Sequence, residues 1–215
     1  MLLGTGHPGE SLGPMTKAAA QATGVPEGSP VVATANEKAV EARGSGRLDR
    51  GTALVSLGTY IAGMVQGEKY VADSRDFWTN MACVPFRYIY ESNGIRRGMS
   101  TVSWVRNLMG GDLTARSAEL GVSPEDYLNA EAAKLPAGSD GLLTVPEWLA
   151  PPSHPYKRGV MIGFDGRHNG VHMFRSILEA IAMSMKNKVG AMCRELDIPL
   201  ERLIISGGGS NGDLF

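Results

Sequence analysis

Three short stretches of this chain carry residue types whose spacing suits chemistry on an anion. Glu37 follows Asn36 at the head of a helical pattern, directly behind the apolar run at 30–34. Asn is a preferred N-cap, so its side chain would close the first turn and set the Glu37 carboxylate at the positive end of the helix dipole. Such a carboxylate either helps to cap the helix or acts as a general base on a rigid strand-to-helix junction. The second stretch is Ser56-Leu57-Gly58-Thr59-Tyr60. Its glycine lets backbone N–H groups approach a phosphate while the Thr59 hydroxyl adds a donor, or the pair simply satisfies a tight turn. The third is Gly207-Gly208-Gly209-Ser210-Asn211-Gly212, where four glycines in six residues exceed what one turn requires. It lacks both the Gly-Lys-Ser/Thr ending of a Walker P-loop and the setting of a dinucleotide fingerprint.

Other reactive types are scattered. His7, His154, His168 and His172 show no metal-ligand spacing, so no metal site is expected from protein side chains. Cys83 and Cys193 form neither a disulfide framework nor a metal motif. Arg96-Arg97 reads as a solvated turn, and Glu179 lies one helical turn from Arg175, the spacing of a structural ion pair.

The elements that must position these residues follow from periodicity. Residues 4–16 are rich in Gly and Pro and read as a loop, and 16–23 as a short helix stopped by Gly24. The run 30–34 suits a buried strand, and the helix opened by Asn36 ends at Gly44-Ser45-Gly46. Residues 52–57 and 60–66 read as a hairpin around Gly58-Thr59, and 77–86 as another strand. A helix over 99–109 carries Val102, Trp104, Val105 and Leu108, and 110–139, with its Ser123-Pro124 helix start, reads as a peripheral helical insertion. Residues 142–145 and 159–164 are strands around a Pro-rich segment. The clearest helix, 171–196, has one apolar stripe from Phe174 to Met192. Residues 202–206 form a buried strand running into the third glycine stretch. The class is α/β.

With 21 Lys+Arg against 22 Asp+Glu, the 215 residues carry a net charge of −1, which excludes a polybasic nucleic-acid or membrane-surface protein. The chain is 43% hydrophobic and 20% charged, as expected where a sizeable core is buried. No stretch approaches the roughly 18 apolar residues of a membrane span, and residues 1–6 lack the basic start of a secretory leader. A cytoplasmic location with no nucleic-acid or membrane partner is the reading. The last strand lacks its covering helix, so a fragment of a larger fold is expected.

Gly159-Val160-Met161-Ile162-Gly163-Phe164 is followed, after seven residues, by His172-Met173-Phe174-Arg175-Ser176-Ile177-Leu178-Glu179. This segment is similar to the second signature of the FGGY family of carbohydrate kinases at every prescribed position except Phe164, where a smaller aliphatic residue is usual. Residues 52–59 resemble the family's phosphate-contacting hairpin, Trp104 a tryptophan in the helix beyond it, and Gly207, Gly208 and Gly209 its nucleotide-binding glycines. Residues 30–46 resemble the segment that ends the first domain and carries the catalytic aspartate. Glu37 stands in that aspartate's place, on a stem one methylene longer.

The resemblance implies an actin-like ATPase (ribonuclease H-like) fold, with residues 1–48 the end of a sugar-binding domain and 49–215 an incomplete ATP-binding domain. It implies transfer of the γ-phosphoryl of ATP, with Mg²⁺, to the hydroxyl of a small-molecule sugar. A ketopentose is favoured because the segment after Glu37 lacks the paired glutamines of the glycerol branch. Under this resemblance Glu37 accepts the hydroxyl proton and Asn36 contacts the sugar. Gly58 and Thr59 donate to the phosphates, while Gly208, Gly209 and Gly212 let the adenosine pack against backbone. A homo-oligomer is compatible with it. The family's first phosphate hairpin and most of its sugar contacts would lie upstream of Met1, so these 215 residues alone are expected to be inactive. The alternative is a non-catalytic nucleotide- or sugar-binding relative; an actin-like assembly protein is disfavoured by the signature.

Overall fold

The computed structural model describes residues 6–46, 48–212 and 214. The first five residues, on which the leader argument rests, lie outside that set. The chain opens with β1 (Ser11–Pro14), α1 (Lys17–Thr23) and β2 (Pro30–Val32), and β1 and β2 pair antiparallel. Thr16 caps α1 and Gly24 ends it at φ 75°, the left-handed turn that glycine adopts without strain. Residues 4–16 are thus not all loop, and the strand expected at 30–34 is not buried. It meets only β1, so Val32 stays exposed.

Next comes α2 (Glu37–Gly44), where the Asn36 side chain accepts the Ala39 N–H at 2.9 Å, the cap its residue type foretold. The main sheet follows: β3 (Thr52–Leu57), β4 (Ile61–Gly67), β5 (Phe77–Met81) and β6 (Tyr88–Ser92). Three helices, α3 (Gly98–Leu108), α4 (Gly110–Glu119) and α5 (Pro124–Ala133), lead to a two-stranded ribbon, β7 (Leu143–Val145) with β8 (Val160–Ile162). Then come α6 (Gly170–Glu195), β9 (Arg202–Ser206) and a 3₁₀ turn, Gly208–Asn211. The sheet order is β5-β6-β4-β3-β9, antiparallel except for the parallel pair of β3 with β9.

Alternation along the strands sends Ala53, Val55, Leu57, Ile61 and Val65 to one face, under the α6 stripe of Phe174, Ile177, Ile181, Met185 and Val189. Leu54, Met64 and Ile89 face the other way, where Ala39 and Ala42 of α2 cover them. At Gly63 sheet and helix approach closely: a Cβ there would stand 2.3 Å from Val189 Cγ2.

Three further expectations fail. The strand expected at 77–86 stops at Met81, the end of β5; a turn in which Phe86 takes φ 62° follows, and β6 lies beyond it as a strand the pattern did not show. The segment 110–139 is not peripheral, since Leu113, Leu128 and Ala132 are buried in the main core. The strand at 202–206 forms, yet Leu203 and Ile205 are exposed, because β9 is the sheet edge and α6 packs over β4 and β6.

Candidate functional site

The chain leaves α2 at Gly44 and re-enters the sheet at Thr52, so α2 runs antiparallel to β3 with its first turn at the C-terminal end of that strand. Contacts confirm the direction: Lys38, in the first turn of α2, donates to Ser56 Oγ at 2.8 Å. Ser56 lies two residues before Gly58, and its ladder partner Ser206 immediately precedes Gly207. The head of α2 and both glycine turns therefore meet at one end of the sheet, where the parallel strands finish. Open α/β sheets bind ligands at such carboxyl ends. Glu37 is exposed there and makes no hydrogen bond or ion pair among the described residues, while Asn36 spends its side-chain oxygen on the cap.

The two glycine turns differ in why they need glycine. Gly207 has φ 85°, and a Cβ on it would meet the Leu57 backbone at 2.8 Å. Gly209 would drive a Cβ to 2.8 Å from Leu57 Cβ and 2.9 Å from Met99 Sδ. Both are demanded by packing. Gly208 is not, because nothing lies within 4 Å of where its Cβ would stand. Gly58 has an ordinary φ, and its Cβ would meet only the Tyr60 carbonyl oxygen at 3.5 Å. Gly58 is half-buried and Thr59 exposed. Two glycines thus leave open space that the fold itself does not use, a cradle for an outside group.

Beside the second turn lies a cavity of about 300 Å³. Its apolar wall is Met99 and Val102 of α3 with Phe174 and Leu178 of α6; Ser123, Asp126 and Asn129 of α5 bring polar groups, and Gly208, Gly209 and Gly212 close it. An apolar slot with a few convergent polar groups and a backbone wall accepts a flat heterocycle. The Met99 N–H donates to the Gly58 carbonyl at 3.1 Å, so this slot abuts the β3–β4 turn. Gly58 and Thr59 would then face whatever extends out of the slot. A wider groove of about 920 Å³, lined among others by Arg43, Leu48, Arg87 and Asp197, contains none of the glycine turns.

The structure brings Gly208, Gly209 and Gly212 together, places Gly58 and Thr59 next to them, and sets Glu37 and Asn36 across the strand tips on the opposite sheet face. The residues that sequence reasoning missed are Met99, Val102, Asp126, Asn129, Phe174 and Leu178. Phe174 and Leu178 belong to a helical stripe read only as core, and α5 comes from the supposed insertion. Among the described residues no group of three or more His, Cys, Asp or Glu could hold a metal ion.

Behind the site, Glu91 of β6 is buried and accepts from Trp78 Nε1 at 3.2 Å and Asn80 Nδ2 at 2.9 Å. Burial raises its pKa against the opposing pull of those hydrogen bonds and of Lys38.

A mixed sheet whose parallel pair ends in two glycine turns beside a half-open slot defines an α/β lobe of the actin-like ATPase type. Residues 53–215 match the FGGY family of carbohydrate kinases, C-terminal domain, and the chain belongs to that family. Over 215 residues it is 47% identical to the uncharacterized sugar kinase YgcE of Escherichia coli (strain K12), covering 100% of this chain and 44% of that protein. The crystal structure of xylulose kinase from Rhodospirillum rubrum is similar with a TM-score of 0.76 and 27% identity, over 97% of this chain and 41% of that one. Plasmodium falciparum glycerol kinase with ADP shares the fold, with a TM-score of 0.73 and 20% identity over 97% and 40% of the respective chains. The chain spans less than half the length of these relatives. Among the described residues, no helix is long and apolar enough to cross a membrane.

Proposed function

We propose that this chain is the larger part of the ATP-binding lobe of a sugar kinase, together with the helix that supplies its general base. The observation that carries the reading is the slot walled by Gly208, Gly209 and Gly212, joined through the Met99–Gly58 hydrogen bond to an exposed Gly58-Thr59 turn. The adenosine of ATP would fill the slot, and its phosphates would extend toward Gly58 and Thr59, whose backbone N–H groups and hydroxyl donate to them. Phosphoryl transfer asks the protein mainly for alignment and charge neutralisation. Glu37, on the far side of the strand tips, would take the proton of the attacking hydroxyl, with Asn36 beside the sugar. We place the lobe boundary near residue 48, between α2 and β3.

Mg²⁺ keeps several waters and binds mainly through substrate phosphates with one or two protein carboxylates. When bound it would neutralise phosphate charge. A ketopentose is the favoured acceptor; the xylulose kinase similarity supports that class, and most of the sugar contacts would fall to the part of the relatives' length that this chain does not span.

The test is ADP release by the full-length protein with ATP and a panel of pentuloses, polyols and aldonic acids. Turnover with a pentulose is expected, and the 215-residue chain alone should bind ATP without turnover. Retained ATP binding with no turnover on any acceptor would select the non-catalytic reading, for which the lengthened Glu37 stem is the motive.

A further inference from the structure

Four side chains tie the head of α2 to the tips of the two parallel strands. Lys38 Nζ donates to Glu41 Oε2 at 2.9 Å and to Ser56 Oγ at 2.8 Å. Ser206 Oγ donates to the other carboxylate oxygen, Glu41 Oε1. Ser56 and Ser206 face each other in the β3–β9 ladder, so this one carboxylate links the helix to both strands, directly to β9 and through Lys38 to β3. The group is largely sheltered, with 17% of the Lys38 and 21% of the Glu41 side chain exposed. Burial opposes ionisation of Glu41, but hydrogen bonds from Ser206, Ser56 and Lys38 outweigh it and hold the carboxyl below its usual range.

The spacing says what is being held. Glu37 and Glu41 are four residues apart and share one face of α2, about 6 Å apart along its axis. Gly58 lies two residues past Ser56, about 7 Å along β3. Pinning Glu41 against Ser56 and Ser206 therefore brings Glu37 level with the glycine turns.

We propose that Glu41 is a positioning residue, clamping α2 to β3 and β9 so that the Glu37 carboxylate is held at a set distance from the phosphate-facing turns. The inference rests on the kinase reading above. Glu41 touches no substrate; it acts through the helix. A displacement of about 1 Å at a reacting group costs on the order of a hundredfold in rate, so a loosened clamp should show in turnover rather than in nucleotide affinity.

The experiment uses the full-length protein with Glu41→Gln, Ser206→Ala and, as a control, Glu68→Ala, which removes an exposed ion pair with Arg87 at the end of β4 remote from the Gly58 turn. For Glu41→Gln we expect kcat to fall roughly ten- to hundredfold with KM for ATP within about twofold. Amide hydrogen exchange should quicken across 38–44 and stay unchanged in α6. Ser206→Ala should move both readouts the same way by less. Glu68→Ala should leave kcat and α2 exchange alone. Unchanged kcat in Glu41→Gln, an equal fall in Glu68→Ala, or unchanged α2 exchange would overturn the proposal. Should the wild type turn over no sugar, the kinase reading fails, and α2 exchange alone then decides the clamp: unchanged protection overturns it, faster exchange upholds it.

Discussion

The Gly58 carbonyl accepts the Met99 N–H at 3.1 Å, and the Met99 side chain in turn packs beside Gly209. The two glycine turns, about 150 residues apart in sequence, are thereby joined through the first turn of α3.

That arrangement separates two neighbouring glycines. Gly208→Ala adds a methyl to open space and should leave thermal stability nearly unchanged while weakening ATP binding. Gly209→Ala forces its Cβ against Leu57 and Met99. Overpacking of this kind costs about 1–3 kcal/mol, a fall of roughly 2–4 °C in Tm per kcal/mol at this chain length. Thermal unfolding with ATP titration calorimetry separates the two; equal destabilisation would refute the assignment of Gly208 to ligand space.

Glu37→Gln in the full-length protein should lower kcat by about 10² to 10⁴, the usual worth of a general base, with KM for ATP little changed. Retention of wild-type kcat would remove Glu37 from the mechanism and return it to helix capping. Shortening the stem with Glu37→Asp offers the complementary measurement, since it restores the carboxylate reach that the family uses.

Glu91 links burial to pH. Its folded-state pKa lies above the ordinary 4.5, so the folded form holds a proton that the unfolded form has released, and stability declines as pH rises through that window. Glu91→Gln keeps an acceptor for Trp78 and Asn80 without the charge. It should be more stable than wild type at pH 7, by about 1.4 kcal/mol for each unit of the upward shift, and equal to it well below pH 4.5. A loss of stability at neutral pH would show that Lys38 favours the ionised form more than burial disfavours it.

Glu179 accepts from Arg175 Nε at 2.9 Å and from the Gly138 N–H at 3.1 Å, while Arg175 Nη1 donates to the Ala132 carbonyl at 2.9 Å. The ion pair read from helical spacing is thus the hub that fastens the end of α5 and the next turn to α6. Glu179→Ala should cost about 1–2 kcal/mol, since the pair is partly solvated and Arg175 keeps one partner. A denaturant midpoint equal to wild type would make the network ornamental.

Local patterns carried much of the architecture. The Asn36 cap, the Gly24 stop, the 52–57 and 60–66 hairpin and the α6 stripe all form as read, because each rests on contacts within a few residues. The boundary errors fall where that locality ends. Tyr88–Ser92 hides behind a turn with a positive-φ Phe86, and the 110–139 segment looked peripheral because its buried residues meet partners on α6 more than 40 residues away.

The amino-acid order by itself determined which residues could serve: a capped carboxylate, two glycine turns and a family signature, all legible from residue type and near-neighbour spacing. Only the tertiary structure decided which of them meet. The parallel pairing of β3 with β9 sets Ser56 beside Ser206 across 150 residues, and this brings Gly58, Gly208 and the head of α2 to one edge. It also made Phe174 and Leu178, which stay in the core, part of the slot wall, since the fold leaves a space beside them that helical periodicity cannot reveal. Side-chain burial depends on what packs opposite, and that is a property of the whole chain rather than of any window along it.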